Sequence, residues 1–133
     1  MKKWNGYDNK NNIAYTLKNG NGLIKEYDFT GNLIFEGEFL NGERNGKGKE
    51  YDDGDLIFEG EYLKDKRNGK GKEYNENGEL EFEGEYLNGK RNGKGKEYYY
   101  NGVLKFEGQF SNGKRNGKGR EYDNNGLLNS LII

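Results

Sequence analysis

The chain has 133 residues, of which 30% are hydrophobic and 34% charged, with a formal net charge of −1. That is too polar for an ordinary two-layer globule, and the charge gives no global pull toward nucleic acid or membrane. Histidine and cysteine are both absent, which excludes a disulfide framework, a thiolate or imidazole metal site and the commonest general base.

Met1–Asn12, with Trp4 and Tyr7, reads as an N-terminal cap, and Trp4-Asn5-Gly6 resembles the remnant of a further Phe-Glu-Gly step. From residue 13 the chain repeats itself, and this periodicity governs every later reading. The units are 13–34, 35–57, 58–81, 82–105 and 106–129. The last three are near copies of FEGEYLNGKRNGKGKEYYYNGVLK, the unit at 35–57 is one residue shorter, and the first is degenerate. Ser130–Ile133 forms a short apolar end, and an apolar terminus on an open sheet edge invites either packing on the aromatic face or pairing with another copy.

Within a unit, Leu80-Glu81-Phe82-Glu83-Gly84-Glu85-Tyr86 alternates with period two, the signature of a half-buried strand. Asn88–Gly93 carries a turn signal at every position, a second strand follows at Lys94–Tyr99, and Asn101-Gly102 closes the hairpin. No segment shows a helical period. The expected fold is all-β: an extended, single-layer antiparallel β-meander solenoid of tandem hairpins, about ten strands in all.

The short repeat fixes a preferred register. With Asp53-Gly54 as a two-residue turn, Asp52 pairs with Asp55 and Tyr51 lies opposite Leu56, on the face holding Phe58. In the longer repeat Glu76-Asn77-Gly78 becomes a three-residue loop, Asn75 pairs with Glu79, and Tyr74 faces Leu80 and Phe82. A two-residue Asn-Gly turn is the competing arrangement and pairs Tyr99 with Leu104 instead. The preferred register predicts four columns along the sheet: Phe35, Phe58, Phe82, Phe106; Tyr15, Phe39, Tyr62, Tyr86, Phe110; Tyr27, Tyr51, Tyr74, Tyr98, Tyr122; and Leu33, Leu56, Leu80, Leu104, Leu128. Glycines inside the strands suit places where an aromatic lies across a neighbouring backbone.

The pattern Phe-Glu-Gly-Glu-Tyr, a turn with Asn-Gly-Lys, then Gly-Lys-Gly and Asn-Gly, clearest at Phe58–Gly78 and Phe82–Gly102, resembles the MORN (membrane occupation and recognition nexus) repeat. The likeness covers about Ile13–Asn129. The period of 24 exceeds the family's usual unit of 23, and the ending Tyr98–Leu104 is similar to the variant repeats of bacterial antitoxin-like proteins. The resemblance implies an elongated twisted sheet used for protein–protein contact or scaffolding, with association with membrane lipids in some members. It implies no catalytic residues and no cofactor.

Four surfaces compete for a role. Tyr62, Tyr86, Phe110, Tyr74, Tyr98 and Tyr122 form a candidate interaction surface for a protein partner or a second copy. Arg67, Lys70, Arg91, Lys94, Arg115 and Lys118 form a candidate basic edge for anionic headgroups, opposite an acidic edge at Asp52, Asp53, Asp55, Glu76, Glu79 and Asp123. Against the lipid reading, lysines and arginines interleaved with glutamates are the ordinary means of keeping a sheet soluble. Leu131, Ile132 and Ile133 are the candidate self-association residues. The fourth, recurring Glu83, Glu85 and Glu97, reads as a solvated face, since no cleft is predicted to separate their acidities.

The Arg-Asn-Gly-Lys-Gly-Lys turns do not meet the phosphate-loop pattern. Stacked tyrosines are better employed as core than as a nucleic-acid platform. The expectation is a non-enzymatic interaction or scaffolding module without metal, cofactor, nucleic acid or small-molecule substrate. Peripheral binding of anionic phospholipid is the first alternative, and antitoxin-like inhibition of a partner protein the second. The first residues lack the apolar run of a signal peptide, which makes a cytoplasmic protein the default, with membrane or cytoskeletal association as an extension.

Overall fold

The computed structural model describes the backbone of residues 3–7 and 13–18 and the full residues 22–133. Among the described residues twelve strands follow one another: β1 (Lys3–Tyr7), β2 (Ile13–Lys18), β3 (Gly22–Tyr27), β4 (Leu33–Leu40), β5 (Glu43–Asp52), β6 (Asp55–Leu63), β7 (Lys66–Tyr74), β8 (Leu80–Leu87), β9 (Lys90–Tyr98), β10 (Leu104–Ser111), β11 (Lys114–Tyr122) and β12 (Leu128–Ile132). Strands β3 to β12 pair in sequence order as one ten-stranded antiparallel sheet, while β1 and β2 pair with each other in a two-stranded sheet. The expected hairpin meander is thus present. Its strands are β3–β12, with β12 at Leu128–Ile132 as the last. Of the expected cap, residues 1–2 and 8–12 lie outside the described residues. Trp4, Tyr7 and Tyr15 are described only by backbone pairing, Trp4 with Leu17, Tyr7 with Ile13 and Gly6 with Tyr15.

Local chemistry sets the hairpins. At Asn41-Gly42, Asp53-Gly54, Asn88-Gly89 and Asn112-Gly113 both central residues have positive φ, the two-residue turn whose twist matches the strands it joins. Lys64 and Asp65 adopt the same conformation without glycine, at φ of 48° and 68°. There Asp65 also accepts the Arg44 N–H through its carboxylate at 2.7 Å and donates its own N–H to the Arg44 carbonyl at 3.0 Å. The turn at Asn88 is therefore shorter than the six positions its sequence suggested. Leu87 pairs with Lys90, and Arg91–Gly93 belongs to β9.

The preferred register holds at the other turns. Tyr51 pairs with Leu56 and Asp52 with Asp55. Asn75 donates its N–H to the Glu79 carbonyl at 2.9 Å, Tyr74 pairs with Leu80, and Tyr98, not Tyr99, pairs with Leu104.

One consequence of that register does not hold. A regular ladder from the Tyr74–Leu80 pair would bring Lys72 opposite Phe82. Instead Glu81 bulges out, and Glu73 lies opposite Phe82. Ile57 and Lys105 mark the same bulge in the neighbouring hairpins. A slip of one residue exchanges the faces of a strand. The column Tyr51, Tyr74, Tyr98, Tyr122 therefore stands on the face opposite the phenylalanines.

Among the described residues the core is one stripe, Phe35, Phe58, Tyr62, Phe82, Tyr86, Phe106 and Phe110, with Phe39 and Ile57 packed against it, and Ile24 is buried where β3 pairs with Gly37. Phe58 and Phe82 are fully buried although the sheet is one layer thick. The glycines explain how. Gly37, Gly48, Gly60, Gly71, Gly84, Gly95, Gly108 and Gly119 are register partners across successive strands, making one row. A Cβ on Gly71 would stand 2.5 Å from Phe58 Cζ, so the ring lies flat on backbone that only glycine leaves open. Tyr62 and Tyr86 meet the ring edge-on, with centroids at 5.8 and 5.2 Å. Such contacts contribute about 0.5–1.5 kcal/mol each beyond area burial.

Candidate functional site

Each arginine of the Arg-Asn-Gly-Lys motif closes the remaining side of a phenylalanine. The guanidinium carbons of Arg44, Arg67, Arg91 and Arg115 lie 4.1, 3.9, 4.0 and 4.1 Å from the ring centroids of Phe35, Phe58, Phe82 and Phe106. Each also grips a glutamate of the preceding Lys-Glu-Tyr triplet: Arg44 with Glu26 at 3.1 Å, Arg67 with Glu50, Arg91 with Glu73 at 2.7 Å, and Arg115 with Glu97 at 3.0 Å. The clasp joins consecutive repeats. Burial disfavours the Arg91 charge, but the hydrogen bond and attraction of Glu73 outweigh it and leave the pKa raised. Burial likewise pushes the Glu73 pKa up, yet the hydrogen bonds from Arg91 and Tyr86 prevail and lower it.

The opposite face carries a trough of about 1950 Å³, lined by residues of every strand from β3 to β12. Its floor is the bare reverse of the glycine row. Along one side runs a register ladder of alternating charge, Lys25–Glu36–Lys49–Glu59–Lys72–Glu83–Lys96–Glu107–Arg120. Along the other side Lys47 pairs with Glu61 and Lys70 with Glu85. Tyrosines stand on this face too. The hydroxyls of Tyr51, Tyr74 and Tyr98 donate to Glu36, Glu59 and Glu83 at 2.6, 2.5 and 2.6 Å. Burial first, then these carboxylates, push Tyr51 and Tyr74 up to about 12.

A wide bulge shapes the second wall. Between the pairs Gly84–Gly95 and Tyr86–Arg91, three residues of β9 oppose the single residue Glu85. Gly93 makes the bend at φ 100°, and the Glu85 carboxylate accepts the Lys94 N–H at 2.6 Å. Glu61 does the same for Lys70 at 2.6 Å and Glu38 for Lys47 at 2.5 Å.

The MORN repeat model matches residues 35–56, 58–79, 82–103 and 106–127, and that of a MORN repeat variant matches 20–41. The chain belongs to the MORN repeat family. A comparison with curated proteins finds no match. The MORN units and the hairpins coincide, so the chain is a repeat-protein module of a non-catalytic repeat type.

Within this MORN chain the residues singled out from sequence fall in unexpected places. Tyr62, Tyr86 and Phe110 are each only 4% exposed, because the second column packs against the rings of the first; they are core and not contact surface. Tyr74, Tyr98 and Tyr122 are half-buried on the trough side. The basic edge divides: Arg67, Arg91 and Arg115 lie against phenylalanines, whereas Lys70, Lys94 and Lys118 line the trough on the other face. Leu131, Ile132 and Ile133 are exposed on and beyond β12 and line the end of the trough. Glu83 and Glu85 stand in the trough as well, but Glu97 is held by Arg115 on the aromatic face.

Sequence reasoning missed the arginine clasp, although a Glu precedes each Arg by 17 or 18 residues (Glu26 and Arg44, Glu50 and Arg67, Glu73 and Arg91, Glu97 and Arg115). No group of three His, Cys, Asp or Glu suited to a metal ion occurs among the described residues.

Proposed function

We propose that this MORN chain is a protein–protein interaction or scaffolding module whose trough receives an elongated segment of a partner. One observation carries the reading: the trough is continuous across the ten-stranded sheet, and its floor is glycine backbone, which lets another chain approach closely. Its walls present lysine and glutamate at fixed intervals, so they favour a partner by charge register and give no concave centre where one carboxylate differs from the next. The opposite face has its aromatics and arginines already engaged with each other. The anionic-membrane reading has less support, because the lysines it needs alternate with glutamates.

The test is selection of linear peptides on the full chain from a displayed library, followed by binding to Lys47→Glu, Lys70→Glu and Glu85→Lys variants. Loss of the selected peptides on these trough variants is the expected result. Undiminished binding to all three overturns the assignment to the trough.

A further inference from the structure

The β12 end of the trough differs from its middle, and part of the difference is one substitution within the repeat. At the second wall, Lys47 lies between Glu38 and Glu61, and Lys70 between Glu61 and Glu85. Lys94 has Glu85 on one side but pairs with Gln109 on the other. Gln109 occupies the position of Glu38, Glu61 and Glu85 and makes no comparable bond to Lys118. Lys118 therefore has a wall glutamate on neither side. On the first wall Arg120 reaches Glu107 only at 3.7 Å, and Glu107 also accepts the Tyr122 hydroxyl at 3.1 Å. Beyond them, where the other strands place charge, β12 supplies Leu131, 58% exposed, and Ile133 follows it. This end is basic and then apolar; the middle is charge-balanced.

Resting on the interaction reading above, the geometry points to the β9–β12 end of the trough as the anchoring subsite for an extended peptide that carries carboxylates next to aliphatic residues. Its carboxylates take the place beside Lys94 and Lys118 that a wall glutamate holds in the other repeats. Its aliphatic side chains cover Leu131 and Ile133. Peptide is favoured over a lipid surface because the lysines line a recess that a narrow strand can enter. A membrane surface would also meet the glutamates that alternate with lysine along the rest of the trough.

The test uses the full chain and three labelled peptides of alternating Leu with Glu, Gln or Lys, with binding read by fluorescence anisotropy. The informative variant is Gln109→Glu, which installs the residue found at 38, 61 and 85 and so keeps the fold. Expected are preference for the Glu–Leu peptide, a weakening of about tenfold in Gln109→Glu that exceeds any weakening in Lys70→Glu, and a change below about twofold in Lys66→Glu, which lies outside the trough. Equal binding of the Gln–Leu peptide, or indifference to Gln109→Glu, overturns the subsite. Loss confined to Lys70→Glu also overturns it, and leaves the trough as an interaction surface. If no peptide of any charge binds, both readings fail. Binding to phosphatidylserine vesicles that is abolished by Gln109→Glu, with none to peptide, would overturn the peptide in favour of a headgroup.

Discussion

The Arg91 guanidinium lies 4.0 Å above the Phe82 ring and 2.7 Å from the Glu73 carboxylate. One side chain thus covers the core of its own hairpin and holds the strand before it. The side chains of Arg91 and Glu73 are 24% and 23% exposed, so water screens the pair only in part. Arg91→Ala removes a cation–π contact and strands a half-buried carboxylate, with an expected loss of about 2 kcal/mol. Arg115→Ala should cost less, about 1 kcal/mol, since its side chain is 34% exposed. Urea unfolding followed by near-ultraviolet circular dichroism gives both values. A greater loss at Arg115 than at Arg91 would contradict the dependence on burial.

The glycine row makes a second, sharper ranking. A Cβ on Gly60 would meet the Lys70 carbonyl oxygen at 2.6 Å and the Gly71 Cα at 2.7 Å, and both are backbone atoms that cannot turn aside. Gly60→Ala is expected to cost about 3 kcal/mol or more. Gly102 has φ +81° and nothing within 4 Å, so Gly102→Ala carries conformational strain alone, about 1 kcal/mol. Thermal melts of the two variants should separate clearly, and similar midpoints would remove close packing as the reason for the row.

The bulge at Glu85 offers a gain as well as a loss. Glu85→Ala leaves the Lys94 N–H without its carboxylate, at an expected cost of about 1 kcal/mol, while Gln109→Glu supplies the missing acceptor to Lys118 and should stabilise by about 0.5 kcal/mol. Chemical denaturation of both variants decides the matter. A destabilised Gln109→Glu would show that the last repeat closes its bulge differently from the others.

These rankings show where sequence was sufficient. Asp53-Gly54 and Gly78 announce their turns because positive φ favours those residue types, and the deletion between repeats falls where a turn absorbs it. Glu81 announces nothing. A residue in a bulge of this kind needs no special side chain, so the slip that carries Tyr74 to the other face leaves no mark in composition. With Tyr74 placed beside Phe82, the core reads as four columns wide and the arginines read as an edge. Placing the arginines needed the true register, since Arg91 and Phe82 meet only across the wide bulge that precedes Gly95.

Titration should limit stability on both the acid and the alkaline side. Glu73 has its pKa lowered in the folded chain from an ordinary 4.5; burial opposes this, and the hydrogen bonds from Arg91 and Tyr86 overcome it. Its contribution is complete above the unfolded value and disappears as pH falls through the lowered one. Tyr74 behaves in the opposite sense, raised from 10.0 to about 12 by burial and by Glu59. The unfolded phenol ionises first, so the Tyr74 contribution is complete below pH 10 and declines as pH rises from there to about 12. Tyr51, also raised to about 12, adds to the same slope. Urea midpoints measured against pH should therefore hold level from about pH 5 to 10 and fall on either side. Tyr74→Phe should make the alkaline fall shallower and leave the acid limb unchanged, with phenolate absorbance reporting the ionisation itself. An alkaline limb as steep in Tyr74→Phe as in the parent chain would mean that the hydroxyl does not hold Glu59 in solution.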